Sequence, residues 1–248
     1  MCMASYLPSE VDVDVDGLFN GGISNPDGHG WAIADPRLGA IIMGRSLKLE
    51  EALDKFIDAR RRYPSGPALF HSRWATHGSK SIANVHPFLV GGSHKTVVAH
   101  NGVLPFAAHP GKGDDRSDTR LFADEILPTR FRRLDKLSVQ QQLSKWCTKS
   151  NKLVILTVDP RYQSMSYLVN QSMGEWDDKT GIWHSNGDYR ETFGRWAPPS
   201  TKSARESADA FMRGDWDCQF CGMGEIDRSG YCRVCSTCVE CGFEMGAK

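Results

Sequence analysis

The sequence predicts an α+β fold with a small cysteine-rich module near the end of the chain, and three observations lead to this class. Short apolar runs bounded by turn residues, such as residues 152–158, are typical of buried β-strands. Other apolar residues recur at helical spacing between residues 47 and 62: Leu49, Leu53, Phe56 and Ile57. Six of the eight cysteines crowd between Cys218 and Cys241. We therefore expect a mixed domain over residues 2–190, a linker over 191–217 and a cysteine-rich module over 218–242.

The individual elements follow from local patterns. Strands are expected at residues 3–7, 32–34, 41–43, 96–99, 152–158, 164–170 and 181–184. The helix over 47–62 is stopped by Pro64. Two more helices are indicated by apolar sets at helical spacing, Leu121, Phe122, Ile126 and Leu127 for one, and Val139, Leu143, Trp146 and Cys147 for the other. Cys147 is thus expected in the core, and the Gly-rich residues 21–31 are expected to form a loop.

Charge and hydropathy argue against several classes of protein. Lys+Arg and Asp+Glu are both 30, so nothing in the overall charge favours nucleic acid, a membrane surface or an acidic substrate. The longest apolar runs are too short to span a bilayer, and no secretory signal is visible at the start. A secreted disulfide protein would spread its cysteines along the chain. Their crowding predicts a cytoplasmic protein with a metal-bound tail.

The first two residues, Met1 and Cys2, carry a possible nucleophile. Cysteine is small enough for methionine aminopeptidase to expose it by removing Met1, which would leave a thiol and a free α-amine on one residue. A free thiol has a pKa of about 8.5. The terminal amine titrates near 7.7 to 8.0, so it can relay the thiol proton at working pH.

Five polar fragments further along carry residue types suited to binding and catalysis. They are Asn-Pro-Asp-Gly-His-Gly-Trp at 25–31, His-Ser-Arg-Trp-Ala-Thr-His-Gly at 71–78, Asn-Val-His-Pro-Phe at 84–88, His-Asn-Gly at 100–102 and Ser-Asp-Thr at 117–119. Alone, each has an ordinary structural explanation. Asn-Gly is typical of a type I′ turn, and Asp118 beside Ser117 is typical of a helix start.

Together with Met1-Cys2, and in this order, the fragments resemble the glutaminase domain of the class II, or N-terminal-nucleophile (Ntn), glutamine amidotransferases. The resemblance covers most of residues 2–189 and implies a four-layer αββα sandwich. Two features depart from the family pattern: Met3 stands where many relatives have glycine, and the Asp- and Val-rich residues 11–16 are unfamiliar. Neither removes a residue that the mechanism requires.

The resemblance assigns chemistry to three residues. It implies that Cys2 attacks the side-chain carbonyl of glutamine and forms a glutamyl thioester. The side-chain amide of Asn101 and the backbone N–H of Gly102 would form the oxyanion hole. Because the family uses the α-amine as its base, His71 and His86 are expected to be scaffold rather than proton carriers.

The resemblance also assigns a substrate pocket. Arg73 would bind the α-carboxylate of glutamine bidentately, and Asp118 would accept from its α-ammonium group. Thr76 and His77 would add polar contacts, and Trp74 would line the pocket. No cofactor is needed for this catalysis.

The cysteine-rich module has the spacing of a zinc ribbon. Its Cys-x-x-Cys pairs predict four structural zinc ligands, Cys218, Cys221, Cys232 and Cys235, with Cys238 and Cys241 as alternates or part of a second site. Six acidic residues against three basic ones from Gly214 onward argue against binding to nucleic acid. Docking to a protein partner is the better interpretation.

Two other functions stay open from the sequence. One is an N-terminal-cysteine amidase acting on another acyl amide, which would not require the Arg73 and Asp118 pair. The other is a non-catalytic binding module with the Ntn fold, against which the presence of Cys2, Asn101 and Gly102 argues. For a glutaminase, we expect a separate synthase subunit to receive the ammonia, because free ammonia is mostly protonated in neutral water.

Overall fold

Two antiparallel sheets packed face to face form the centre of the protein. A computed structural model describes residues 2–75 and 79–190. The ten strands are β1 Met3–Leu7, β2 His29–Asp35, β3 Ala40–Ser46, β4 Ala68–Ser72, β5 Phe88–Val90, β6 Ser93–Asn101, β7 Lys152–Thr157, β8 Ser166–Val169, β9 Glu175–Trp176 and β10 Trp183–His184. The helices are α1 Val15–Ser24, α2 Leu49–Arg62, α3 Asp118–Leu121, α4 Leu127–Arg130 and α5 Leu137–Cys147, with a π-helical turn at Phe122–Ile126 joining α3 to α4.

The larger sheet has six strands in the order β3-β2-β4-β1-β10-β9, and the smaller has four in the order β5-β6-β7-β8. Strand β1 lies inside the larger sheet, where it pairs with β4 on one side and β10 on the other. Strand β6 lies between β5 and β7. The start of β1 and the end of β6 therefore both come from interior strands, which fixes the backbone next to Cys2 and at Asn101.

Three hydrophobic cores define four layers. Between the sheets, small and branched side chains of β1, β2 and β4 pack against those of β6 and β7: Ala4, Ala32, Leu69, Val97, Ala99 and Val154. The outer face of the larger sheet is covered by α1 and α2, through side chains such as Leu18 and Phe56. The outer face of the smaller sheet is covered by the π turn, α4 and α5, through Phe122, Leu127 and Leu143. The α+β class is confirmed, and the layers are arranged αββα.

The alternation along each strand decides which side chains reach the gap between the sheets. Ala4 and Tyr6 face this gap, whereas Met3 and Leu7 face the helices. On β6, Val97 and Ala99 face the gap and Val98 faces the helices. By the same alternation Asn101 faces the gap, while His100 faces α3.

One local prediction is wrong. Gly21 and Gly22 belong to α1 rather than to a loop. A Cβ at Gly21 would overlap the side chain of Met3, and one at Gly22 would overlap Leu49. Glycine is therefore needed here because the helix lies close to its neighbours. The expected loop starts only at Asn25, which is the C-cap residue of α1.

Other local predictions are confirmed. Strand β1 matches the expected residues 3–7, and Cys147 is fully buried in the core under α5. Among the described residues, no helix is long and apolar enough to cross a membrane. The expected linker over 191–217 and the module over 218–242 lie outside the described residues.

Candidate active site

Cys2 lies immediately before β1, at one edge of the two-sheet core. Its thiol donates to the Trp74 carbonyl and accepts from the Trp74 N–H, with both contacts at 3.4 Å. Its own carbonyl accepts from the side-chain amide of Asn186 at 3.1 Å. The residue is thus attached to two other segments of the chain, one following β4 and the other following β10.

Burial raises the pKa of the Cys2 thiol above its ordinary value. The hydrogen bond from the Trp74 backbone and the positive charge of Arg73 act in the opposite direction, and the negative charge of Asp118 acts with burial. The thiol is therefore protonated at neutral pH. Any nucleophilic attack by this sulfur needs a base that removes the proton.

A small cavity opens beside the thiol and brings several of the sequence-predicted residues together. Its lining residues come from the chain start and from four other segments: Cys2, Arg73, Trp74, His86, His100, Gly102, Ser117, Asp118 and Thr119. Its volume is about 20 Å³, enough for one water molecule. An amino acid would fit only after the walls move apart.

Arg73 follows directly after β4 and is almost fully buried. Its backbone is held by Asp27 and Gly28, through Asp27 N–H to the Arg73 carbonyl at 2.9 Å and Arg73 N–H to the Gly28 carbonyl at 2.8 Å. One guanidinium nitrogen, Nη1, donates to the Ser79 carbonyl at 2.9 Å. The cation is thus placed at the wall of the cavity by fixed backbone on both sides.

Asp118 is the first residue of α3, and Ser117 is its N-cap, with the Ser117 Oγ accepting from the Arg120 N–H at 3.2 Å. Asp118 Oδ1 accepts from the backbone N–H of Thr119 at 2.7 Å, and Oδ2 accepts from that of Leu104 at 2.9 Å. Within residues 2–75 and 79–190 the carboxylate forms no ion pair. It serves the helix start and also lines the cavity, so the two interpretations of this residue are compatible.

The Asn101-Gly102 dipeptide ends β6. Asn101 Nδ2 donates to Ser185 Oγ at 2.8 Å, while its Oδ1 is buried without a hydrogen-bond partner among residues 2–75 and 79–190. Gly102 has φ +137°, and a Cβ there would overlap the side-chain oxygen of Asn151. Gly102 lines the cavity and Asn101 does not. A residue other than glycine would be strained at this position and would clash with its support.

Three buried histidines lie at the cavity: His86 and His100 line it, and His71 contacts both. His71 Nε2 lies 2.8 Å from His86 Nδ1 and 2.9 Å from the His100 carbonyl. Burial lowers the pKa of His71 to about 3 and also lowers that of His86 and His100. Imidazoles this weakly basic are poor acceptors for a thiol proton at neutral pH. None of the hydrogen bonds to Cys2 Sγ within the described residues comes from a histidine.

His100 also supports the carboxylate. Its Nε2 lies 2.7 Å from the side-chain oxygen of Asn151, and its Nδ1 lies 2.9 Å from the hydroxyl of Thr119. That hydroxyl lies 3.2 Å from Asp118 Oδ1. A continuous chain of polar contacts therefore runs from Asn151, which lies between α5 and β7, to the Asp118 carboxylate at the cavity.

Sequence reasoning missed the residues that hold this site together. Ser185 and Asn186 join β10 to the start of β1, and Asp27 holds the segment after β4. The polar run that follows β10 was a visible signal for the first pair. Their hydrogen-bond partners, Ala4 and Cys2, are 181 and 184 residues away, and no sequence signal indicated these pairings.

Some predicted residues cannot be placed. Thr76 and His77 lie outside the described residues, as do Cys218, Cys221, Cys232 and Cys235 and their alternates Cys238 and Cys241. Within the described residues, no group of three or more His, Cys, Asp or Glu side chains could hold a metal ion. The zinc ligands remain predictions.

No protein-family model matches this chain. It is similar to the glutamine--fructose-6-phosphate aminotransferase (isomerizing) of Corynebacterium diphtheriae, at 32% identity over 94 residues, 38% of this chain and 15% of that protein. It is also similar to the enzyme of that name from Chlamydia caviae, at 33% identity over 109 residues, 42% of this chain and 17% of that protein. The chain thus matches only about a sixth of the length of these relatives.

Two solved structures are also similar. One is the glutamine phosphoribosylpyrophosphate amidotransferase of B. subtilis, at a TM-score of 0.46 and 16% identity, covering 74% of this chain and 41% of that chain. The other is a glutamine aminotransferase class-II domain protein from Silicibacter pomeroyi, at a TM-score of 0.35 and 15% identity, covering 74% and 87%.

Proposed function

We propose that this chain is the glutaminase half of a class II glutamine amidotransferase, hydrolysing L-glutamine to L-glutamate and ammonia through an N-terminal cysteine. One observation carries the proposal. A single cavity is lined by a thiol, a cation, an anion and a glycine at positive φ, which are Cys2, Arg73, Asp118 and Gly102. The partial similarity to glutamine-dependent aminotransferases supports it.

The charged pair suits a free amino acid. The Arg73 guanidinium can bind an α-carboxylate through two parallel hydrogen bonds, and the Asp118 carboxylate can accept from an α-ammonium group. Thr76 and His77 would add polar contacts, and Trp74 would cover the substrate. Because the cavity is small, binding requires movement of its walls, and the segment that starts at Arg73 is the wall with the most exposed side chain, Trp74.

The first half of the reaction forms a thioester. With Met1 removed, the Cys2 α-amine takes the thiol proton, and the sulfur attacks the side-chain amide carbon of glutamine. The carbonyl oxygen becomes an oxyanion, which the Gly102 N–H and the Asn101 amide would bind. The C–N bond then breaks, and the leaving nitrogen takes the proton back from the terminal ammonium group, so ammonia departs and a glutamyl thioester remains.

The second half releases glutamate. The α-amine, again neutral, takes a proton from water as the water oxygen attacks the thioester carbon. The C–S bond breaks, the proton passes to the sulfur, and glutamate leaves a free thiol. The raised pKa of the Cys2 thiol makes a base necessary in the first half, and in the second half the same base is needed to activate water, which is a weak nucleophile.

The fate of the ammonia defines the expected partner. Ammonia released into neutral water is mostly protonated and no longer a nucleophile. We therefore expect a separate synthase subunit to dock at the cavity and accept ammonia directly. Affinity purification of the native protein, followed by identification of the co-purifying subunit, would test this expectation.

Two further features complete the proposal. The cysteine-rich module is expected to bind structural zinc through Cys218, Cys221, Cys232 and Cys235, which zinc content measured before and after serine replacement of these ligands would test. The cytoplasm is the expected compartment, because six of the eight cysteines crowd into residues 218–241 and are not spread along the chain as in a secreted disulfide protein.

The deciding experiment measures glutamate release from glutamine by the purified chain and by Cys2→Ala. We expect the variant to lose at least about 10³-fold in kcat, because the nucleophile is gone. Equal glutamate release by both proteins would overturn the mechanism. N-acetylglutamine, which lacks the ammonium group, separates this function from a general acyl amidase: a glutaminase that uses Asp118 should reject it, whereas a general amidase should not.

A further inference from the structure

Ser185 connects the two strands that carry the reacting groups. Its Oγ accepts from the Ala4 N–H of β1 at 2.9 Å and from Asn101 Nδ2 at the end of β6 at 2.8 Å. Its backbone N–H donates to the Ala4 carbonyl at 2.9 Å. Asn186, the next residue, holds the Cys2 carbonyl. One dipeptide therefore contacts both the strand that begins beside the nucleophile and the amide predicted for the oxyanion hole.

With the Asn101 amide oriented as in the structure, two polar groups near it lack hydrogen-bond partners. Ser185 Oγ accepts from two N–H groups, and its own hydrogen has no acceptor among the described residues. Asn101 Oδ1 is buried and has no partner either. Two polar groups are thus left unsatisfied at a fully buried position, where each carries a desolvation cost.

A half-turn of the Asn101 amide about χ2 gives the Ser185 hydroxyl and Asn101 Oδ1 each a partner and leaves Nδ2 without one, since amide oxygen and nitrogen occupy nearly equivalent positions. Ser185 O–H then donates to Asn101 Oδ1 while Ser185 Oγ still accepts from the Ala4 N–H. Nδ2 moves to the position that Oδ1 held. By strand alternation Asn101 and Cys2 both face the gap between the sheets, so the freed N–H group can reach an oxyanion at Cys2 once the cavity widens to admit substrate.

We infer that Ser185 is a positioning residue that turns the Asn101 amide so that its Nδ2 donates to the oxyanion formed at Cys2. This inference rests on the proposed function. It assigns a task to a residue outside the recognised sequence fragments. Ser185 acts through Asn101 and does not itself contact the substrate, so its loss should lower kcat and leave KM nearly unchanged.

The test compares Ser185→Ala with Ser5→Ala. Ser5 is the matched control: it is fully buried in β1, and its hydroxyl bonds His184, the neighbour of Ser185, but not Asn101. We expect Ser185→Ala to lose about tenfold in kcat, a fraction of the 10²–10³ typical for a whole oxyanion donor, with KM within about twofold. Ser5→Ala should keep kcat within about twofold.

A double-mutant cycle identifies the route of the effect. If Ser185 works through Asn101, adding Ser185→Ala to Asn101→Ala should cause no further loss in kcat. Equal and additive losses in the two backgrounds would overturn the inference. The rate of Cys2 alkylation by iodoacetamide, which forms no oxyanion, should be the same in wild type and Ser185→Ala, and a parallel fall in that rate would also overturn it.

The hydroxyl can be isolated even if the alanine variant does not fold. Ser185→Thr and Ser185→Val have side chains of the same shape, with and without the hydroxyl, and the threonine variant should have the higher kcat by about tenfold. Equal kcat in this pair would contradict the inference. If kcat falls in Asn101→Ala but not in Ser185→Ala, the positioning role of Ser185 is refuted and the proposed function is not. If the wild-type protein has no glutaminase activity, the proposed function itself is refuted.

Discussion

The two sides of the cavity are held in different ways. On one side Cys2 and Asn101 lie at the ends of interior strands, and both are tied to the Ser185-Asn186 dipeptide, with Asn101 and Ser185 almost fully buried. On the other side, Arg73, Trp74 and Ala75 follow β4, and Trp74 is 48% exposed. The first side is part of the sandwich core, and the second is attached to it from outside.

Asp27 is the main attachment of that second side. Its Oδ2 accepts from the Ala75 N–H at 2.8 Å, its Oδ1 lies 2.6 Å from Lys80 Nζ, and its own N–H donates to the Arg73 carbonyl. One residue thus holds the segment both before and after Thr76–Gly78. We therefore expect that the reacting groups and the substrate-binding groups can be perturbed separately, in kcat for the first side and in KM for the second.

The largest effect is expected from Gly102→Ala, on the side of the cavity that carries Cys2 and Asn101. The new Cβ would be strained at φ +137° and would overlap Asn151, so the backbone donor should move. We expect kcat to fall about 10²–10³-fold, as for loss of an oxyanion donor. Steady-state kinetics would measure it, with Gly39→Ala as the control, since Gly39 also has positive φ but has open space around it. A variant changed mainly in KM would contradict the proposed division between the two sides.

Asp118→Asn should instead change KM. Removing the negative charge weakens contact with the α-ammonium group by about 10–100-fold, the range for a hydrogen bond to a charged group. Asp115→Asn is the control, because the Asp115 side chain is exposed and lies three residues before Asp118, where α3 starts. Urea unfolding of both variants would show whether the Leu104 and Thr119 contacts survive. An unchanged KM with a folded protein would remove Asp118 from the substrate site.

Acid should destabilise the fold through its buried histidines, and His71 on β4 gives the clearest case. His71 has a folded pKa of about 3, against about 6.5 when unfolded. Below pH 6.5 the unfolded chain therefore binds more protons than the folded one, and stability is lost as the pH falls toward 4. His71→Gln should reduce the loss of unfolding free energy between pH 7 and 5 by up to about 2 kcal/mol.

The control for this pH experiment is His94→Gln, because His94 is exposed on β6. Urea denaturation of the wild type and both variants at pH 7 and 5 would measure the difference. The same loss of stability in all three proteins would show that His71 is not buried in its neutral form.

Asp27→Asn is expected to give the smallest effect, on the other side. It should weaken the contacts to Ala75 and Lys80 without touching the thiol. We expect KM to rise about three- to fivefold, equivalent to one partly exposed ion pair, with kcat within about twofold. Asp12→Asn, an exposed carboxylate elsewhere, should leave both constants unchanged. A large fall in kcat for Asp27→Asn would mean that the two sides are not separate.

Local sequence patterns predicted seven of the ten described strands but not β4, β5 or β9, and the cavity residues Cys2, Arg73, Gly102 and Asp118 were predicted from the family resemblance. The alternation of β1 and the helical spacing at Leu143 and Cys147 are visible in one dimension. The helical packing of Gly21 and Gly22 was not, since it depends on the positions of Met3 and Leu49. Likewise, Ser185 bonds Ala4 at a separation of 181 residues, and Asp27 bonds Ala75 at a separation of 48. Such pairings exist only once the sheets are assembled.

The α-amine of Cys2 is the proposed base, and a chain extended by one residue would reveal whether the reaction needs it. A chain with glutamate inserted between Met1 and Cys2 keeps the thiol but removes the free amine from Cys2. Intact mass would establish the N-terminus of each protein, and iodoacetamide labelling would establish that Cys2 remains accessible. We predict that the native chain, lacking Met1, releases glutamate from glutamine, and that the extended chain with a reactive thiol does not. Equal glutamate release by the two chains would contradict the account.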